Sequence, residues 1–170
     1  MNLNFKQRLK KVRCFIFDVD GVLTNGSLIV MPDELYRIMN IRDGFALKEA
    51  VNAGFKVVII SGGNSDSVRS RLTNLGIDDV YLGIQNKSEK VDEVIIQYDL
   101  RKEEILYMGD DIPDYEVMKL AGIPCCPSDA ATEIKEVSVY ISPFKGGDGC
   151  VRDIIEQVMR LNGSWPVLKK

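Results

Sequence analysis

A chain of 170 residues, 45% hydrophobic and 28% charged, carries enough apolar material for one good core, so a single domain over residues 1–170 is expected. Its 22 Lys and Arg against 25 Asp and Glu give a formal charge of -3, with no basic block longer than Lys10-Lys11-Val12-Arg13, which argues against nucleic acid as a partner. Histidine is absent, which removes His-dependent triads and the usual zinc sites and leaves carboxylates, Lys, Tyr or Cys for proton transfer.

The opening MNLNFKQRLKKVR is too polar for a secretory signal, and no apolar stretch reaches the roughly 18 residues of a membrane span. A cytoplasmic protein without membrane contact is the expectation. Cys14, Cys125, Cys126 and Cys150 show no C-x-x-C spacing and read as reduced, buried thiols. In chain order, an apolar run at 14–17 predicts a first strand. Residues 28–41 predict a β-hairpin around the turn Met31-Pro32-Asp33-Glu34. Helical spacing over 44–52, 65–75, 88–98, 114–120, 130–136 and 150–161 alternates with strand-length apolar runs at 56–60, 80–82, 105–108, 123–126 and 137–141. The tail from Asn162 reads as extended. Alternation of this kind predicts an α/β fold, a Rossmann-like parallel sheet with helices on both faces, carrying the hairpin as an inserted flap.

In an open parallel sheet ligands bind outside the carboxyl ends of the strands. The first strand ends in Asp18 and Asp20, the second in Ser61-Gly62-Gly63, and the fourth in Gly109-Asp110-Asp111; Lys87 follows the third. Residues i and i+2 of an extended segment share one side, so Asp18 and Asp20 can flank one reacting group. Carboxylates crowded at one edge repel one another unless a cation sits among them, and oxygen-only ligands favour a hard ion such as Mg²⁺. Ser61 offers a hydroxyl and Lys87 a point charge to a phosphate.

This ordered set resembles the haloacid dehalogenase superfamily of phosphotransferases: Asp18-Val19-Asp20-Gly21-Val22-Leu23-Thr24, Ile60-Ser61-Gly62, Lys87, and Gly109-Asp110-Asp111-Ile112-Pro113-Asp114. The resemblance implies that Asp18 is the nucleophile that becomes an aspartyl phosphate and Asp20 the general acid and base. It implies Mg²⁺ held by Asp18, the backbone carbonyl of Asp20, and Asp110, with Asp111 and Asp114 as outer carboxylates. Between Asp18 and Ser61 lie 42 residues, already filled by the hairpin and one helix, and between Ser61 and Lys87 lie 25, which leaves no room for a cap domain. A capless site needs another copy of the chain to close it.

Capless members with a flap are the 3-deoxy-D-manno-octulosonate 8-phosphate phosphatases, which are tetramers; a close relative acts on 2-keto-3-deoxy-nononate 9-phosphate. FDVDGVLTNG, NIRDGFALKEAVNAG, SRLTNLGI, GDDIPDYEVM and GGDGCVRDI fall in that family's order. The resemblance implies substrate contacts from Asn40-Ile41-Arg42-Asp43-Gly44 and from Arg71, with Arg42, Lys48, Arg71 and Lys87 as cations for a sugar acid that bears a carboxylate and a phosphate. Two positions depart from the pattern: Gly63 and Lys48 stand where arginines are usual, which opens the choice between the eight- and nine-carbon sugar acids. Trp165-Pro166 with Lys169 and Lys170 is expected to reach a neighbouring site. A non-enzymatic phospho-aspartate regulatory module is the alternative, although receiver domains carry their acceptor after the third strand, where this chain has Leu82-Gly83.

Overall fold

The structure, a computed structural model, describes residues 4–166. Helix α1 (Phe5–Leu9) precedes strand β1 (Cys14–Phe17). A hairpin of β2 (Ile29–Val30) and β3 (Leu35–Tyr36) leads into α2 (Ile41–Asn52). The chain then runs β4 (Lys56–Ile60), α3 (Asp66–Thr73), β5 (Asp79–Tyr81), α4 (Lys87–Gln97) and β6 (Ile105–Met108). It ends in α5 (Tyr115–Leu120), β7 (Ile123–Cys126), α6 (Thr132–Val137), β8 (Tyr140–Ile141) and α7 (Cys150–Leu161).

Six strands form one sheet in the order β5-β4-β1-β6-β7-β8, and every pairing is parallel. The chain grows outward from β1 to β4 and β5, then returns to the other side of β1 for β6. The connections on the two sides of β1 therefore diverge, leaving a crevice at its carboxyl end. The run Cys14-Phe15-Ile16-Phe17 is buried throughout because both sheet faces are covered. Phe15 and Phe17 join one core with Leu47 of α2 and Ile154 of α7, while Cys14 and Ile16 join a second with Val91 and Val94 of α4 and Met118 of α5. In α7 the buried positions Cys150, Val151, Ile154, Ile155, Val158 and Met159 repeat with the helical period and form one stripe against the sheet.

The hairpin has the expected turn, with Ile29 opposite Tyr36 and Val30 opposite Leu35, and an isolated bridge between Thr24 and Met39 closes its base. No cap domain is inserted among the described residues. Four local features differ from the sequence reading. Helix α2 starts at Ile41 because the Asn40 side chain accepts from the amides of Arg42 (2.8 Å) and Asp43 (3.4 Å), a cap ahead of the glycine that reads as the start. Helix α1 forms behind a reciprocal Asn4–Gln7 capping box, a signal present in the sequence. Helix α6 takes in Val137, leaving β8 only two residues. The tail turns back after α7: Trp165 is buried against the core and meets Phe45 edge-on at 6.0 Å, because hiding an indole outweighs leaving it in water. Lys169 and Lys170 lie outside the described residues.

All four cysteines are free and buried. Among the described residues no helix is long and apolar enough to cross a membrane.

Candidate active site

Asp18 follows the last residue of β1, and its amide donates to the Met108 carbonyl of β6 (3.1 Å), so it sits at the crevice between two strand ends. Val19 turns into the core, and its carbonyl accepts from the amides of Val22 (3.3 Å), Leu23 (2.9 Å) and Thr24 (3.1 Å). That single turn leaves Asp18 and Asp20 on the cleft side. Asp18 is nearly buried; Oδ1 accepts from the Val19 amide at 2.7 Å and Oδ2 lies 3.0 Å from Lys87 Nζ. Ser61 follows β4, its amide donating to the Tyr81 carbonyl (2.9 Å) and its Oγ accepting from the Gly63 amide (3.3 Å).

Lys87 is the first residue of α4, a helix capped by Asn86. Its ammonium also reaches Asp114 Oδ1 at 2.7 Å. Asp114 is fully engaged: Oδ1 accepts in addition from the Tyr107 hydroxyl (2.6 Å) and Oδ2 from the Asp110 amide (3.1 Å). Oxygens of Asp18, Asp110 and Asp114 all lie within 4.8 Å of one another. One ammonium among three carboxylates leaves excess negative charge at largely buried groups. Burial, then the Asp114 charge, pushes Asp18 up to about 6 against the pull of Lys87. Burial, then Asp18, Asp114 and Asp111, pushes Asp110 up to about 7. Burial alone would lower Lys87, but the Asp18 and Asp114 carboxylates outweigh it and hold the ammonium charged.

A hard divalent cation fits this donor set, since it removes the repulsion that holds two carboxyls toward protonation. Asp114 already accepts from Lys87, Tyr107 and the Asp110 amide, more donors than either Asp18 or Asp110 meets, so those two are the carboxylates that could hold a cation directly. Gly21 shapes the cradle: its φ is +84°, and a Cβ there would fall 1.9 Å from Asp110 Oδ2. A side chain at this position is excluded by both backbone and space.

Asp18, Asp20, Ser61, Lys87, Asp110, Asp111 and Asp114 thus line one cleft of about 570 Å³, with Asp111 the exposed member. Three residues to which sequence reading gave no role support it. Thr24 is buried, its Oγ1 accepting from the amides of Gly21 and Gly26 (3.3 Å each). Tyr107 holds Asp114, and Arg37 of the flap binds Asp20 with Nε to Oδ1 at 2.6 Å and Nη2 to Oδ2 at 3.0 Å. A lone charge in the apolar flap segment Leu35-Tyr36-Arg37-Ile38-Met39 was the available signal for Arg37.

The remaining sequence candidates do not enter this cleft of their own chain. Asn40 and Arg42 line a separate hollow of about 710 Å³ with Arg152 and Arg160 of α7. Asp43 is buried and accepts from the Arg152 amide at 2.7 Å. Gly44 is buried with the Arg71 guanidinium over it, 2.7 Å from where a Cβ would stand, and Lys48 and Arg71 are exposed.

Residues 83–154 match the family model of the haloacid dehalogenase-like hydrolases. Over 158 residues the chain is 31% identical to the 3-deoxy-D-manno-octulosonate 8-phosphate phosphatase KdsC of Escherichia coli strain K12, covering 92% of this chain and 84% of that protein. The chain belongs to this hydrolase family. Its structure is similar to that of the 3-deoxy-D-manno-octulosonate 8-phosphate phosphatase from Yersinia pestis, with a TM-score of 0.90, 28% identity, and coverage of 94% of this chain and 86% of that one. It is also similar to the Moraxella catarrhalis phosphatase solved with magnesium ion, phosphate ion and KDO, with a TM-score of 0.88, 27% identity, and coverage of 92% and 90%. Like its relatives in the haloacid dehalogenase-like family, the protein is a phosphoric monoester hydrolase, and the regulatory-module alternative falls away.

Proposed function

We propose that the protein is a Mg²⁺-dependent phosphatase that hydrolyses 3-deoxy-D-manno-octulosonate 8-phosphate through an aspartyl phosphate on Asp18. The observation that carries this is the cleft itself: a nearly buried Asp18 beside Lys87, with Asp110 and Asp114 close enough to share a cation and Asp20 at its edge. Relatives named for that substrate, one of them solved with magnesium, phosphate and KDO, support the choice.

In the first half-reaction a carboxylate oxygen of Asp18 forms a bond to phosphorus as the phosphorus–oxygen bond to the sugar breaks. Asp20 gives its proton to the departing sugar oxygen. In the second, water attacks phosphorus, Asp20 takes the proton back, and the bond to Asp18 breaks to release inorganic phosphate. Ser61 donates to a phosphoryl oxygen, and Lys87 offsets its charge while holding Asp18 in place. Asp114 orients Lys87, and Asp111 lies at the mouth. A bound Mg²⁺, held by Asp18, the Asp20 carbonyl and Asp110, supplies charge neutralisation at the phosphoryl oxygens.

The open cleft and the exposed apolar flap, where Val30 is 75% and Ile38 67% exposed, support closure by further copies of the chain as a homotetramer. On this reading Arg42, Lys48 and Arg71, exposed and outside their own cleft, meet substrate held by a neighbouring copy. Asn40, Asp43 and Gly44 set the backbone that presents Arg42. Sedimentation of a fully active monomer would remove this part. Four free, buried thiols support a reducing compartment, the cytoplasm. Because Gly63 puts no side chain into the cleft, the longer 2-keto-3-deoxy-nononate 9-phosphate is a second reading. A phosphate-release screen across eight- and nine-carbon keto sugar acid phosphates with Mg²⁺ decides between them, and turnover of neither refutes both.

A further inference from the structure

The flap brings against Asp20, at the edge of the cleft, a cation for which the two half-reactions have no use. The Arg37 side chain is only 5% exposed; its Nε and Nη2 grip both oxygens of Asp20, and Nη1 donates to the Leu35 carbonyl at 2.9 Å. A guanidinium has five N–H donors, so two remain beyond these three. Two features hold it there. Glu34 at the hairpin turn accepts from the hydroxyls of Ser65 (2.6 Å) and Ser67 (2.8 Å) and from the Ser67 amide (3.3 Å), docking the flap on the start of α3. Gly63 leaves the space: a Cβ there would lie 3.0 Å from both Arg37 Nη2 and Asp20 Oδ2.

The grip matters because Asp20 is the residue that meets the departing sugar. Both oxygens lie in a two-pronged ion pair, and a proton placed on one of the remaining lone pairs removes the charge that the fork grips. Loosening a bidentate guanidinium–carboxylate pair is costly unless the guanidinium finds an equivalent partner. A leaving group that carries its own carboxylate offers one; a neutral sugar does not. Lys87 cannot play this part, since it lies on the nucleophile side, paired with Asp18 and Asp114.

We propose that Arg37 determines specificity for the leaving group: it exchanges Asp20 for the carboxylate of the departing sugar acid, so that Asp20 is released for proton transfer when an acidic leaving group is bound. The inference rests on the sugar-acid reading above. It is tested by kcat/KM for 3-deoxy-D-manno-octulosonate 8-phosphate and for glucose 6-phosphate, a neutral sugar ester, in the parent and in Arg37→Met at saturating Mg²⁺. The parent is expected to prefer the acid, and Arg37→Met to lower that preference by roughly 10- to 100-fold, the scale of one charge-assisted contact, with Arg37→Lys between the two. A ratio moves this way only if Arg37 reads the substrate, because general damage lowers both rates together. A preference that falls less than tenfold in Arg37→Met overturns the inference alone. A parent enzyme with no preference for the acid overturns the sugar-acid reading and the inference with it.

Discussion

Asp43 belongs to α2 but serves α7. That helix begins at Gly149, which has no side chain to cap it, and the Asp43 carboxylate accepts from the Arg152 amide at 2.7 Å in its place. The other oxygen, Oδ2, is buried with no partner. Burial therefore pushes the carboxyl up to about 6 from 3.8, more than the amides of Arg152 and Gly149 and the Arg152 charge pull it down. Between those two values the folded chain keeps a proton that the unfolded chain has released. Stability from this group thus falls as pH rises from about 4 to about 6, and the full loss, about 3 kcal/mol at about 1.4 kcal/mol per unit, persists above that range. The side chain is only 1% exposed, so solvent screening does not reduce the figure. Asp43→Asn keeps an oxygen for the Arg152 amide and removes the buried charge. The variant is expected to match the parent near pH 4 and to exceed it by up to ~3 kcal/mol at pH 7. Urea unfolding of both at several pH values, at fixed protein concentration and saturating Mg²⁺, reads the difference, and other titrating carboxylates cancel in it. A parent–variant difference that does not change between pH 4 and pH 7, or a variant less stable at pH 7, refutes the reasoning.

Asp18→Asn is expected to abolish phosphate release and Asp20→Asn to lower kcat about 10²- to 10⁴-fold, with unchanged far-ultraviolet circular dichroism; parental rates in either variant would show that the roles are misassigned. Because Asp18 and Asp110 are held toward protonation, with pKa about 6 and about 7, Mg²⁺ must compete with protons for them. Its affinity by titration calorimetry should rise as pH rises through 6 to 7, and a dissociation constant that is flat from pH 5.5 to 8 contradicts this. Gly21→Ala drives a methyl into Asp110 at a positive φ, so Mg²⁺ affinity should fall at least about tenfold, the effect of losing one well-placed ligand; parental affinity would mean that Asp110 is not a ligand.

The sequence by itself determined the sheet and the residues at its carboxyl edge. Apolar runs such as Cys14 to Phe17, too short for a helix, read as buried strands, and polar residues follow their carboxyl ends, Asp18 after β1, Ser61 after β4 and Asp110 after β6. That argument is local: period and polarity decide the face and the end of each element without reference to the rest of the chain. What folding decided is which charge each side chain meets. Arg37 reaches Asp20 across 17 positions because the hairpin docks on α3, and Asp43 caps a helix 109 positions away because α2 lies against α7. Trp165 folds back onto Phe45 and Arg152, although its sequence reads equally well as a free tail. A charge or an indole near a chain turn has several partners of similar worth, and only the docking of whole elements selects one. The acids of the site were therefore legible from strand ends, while the partners of two of them, Arg37 on Asp20 and Tyr107 on Asp114, were assigned only in three dimensions.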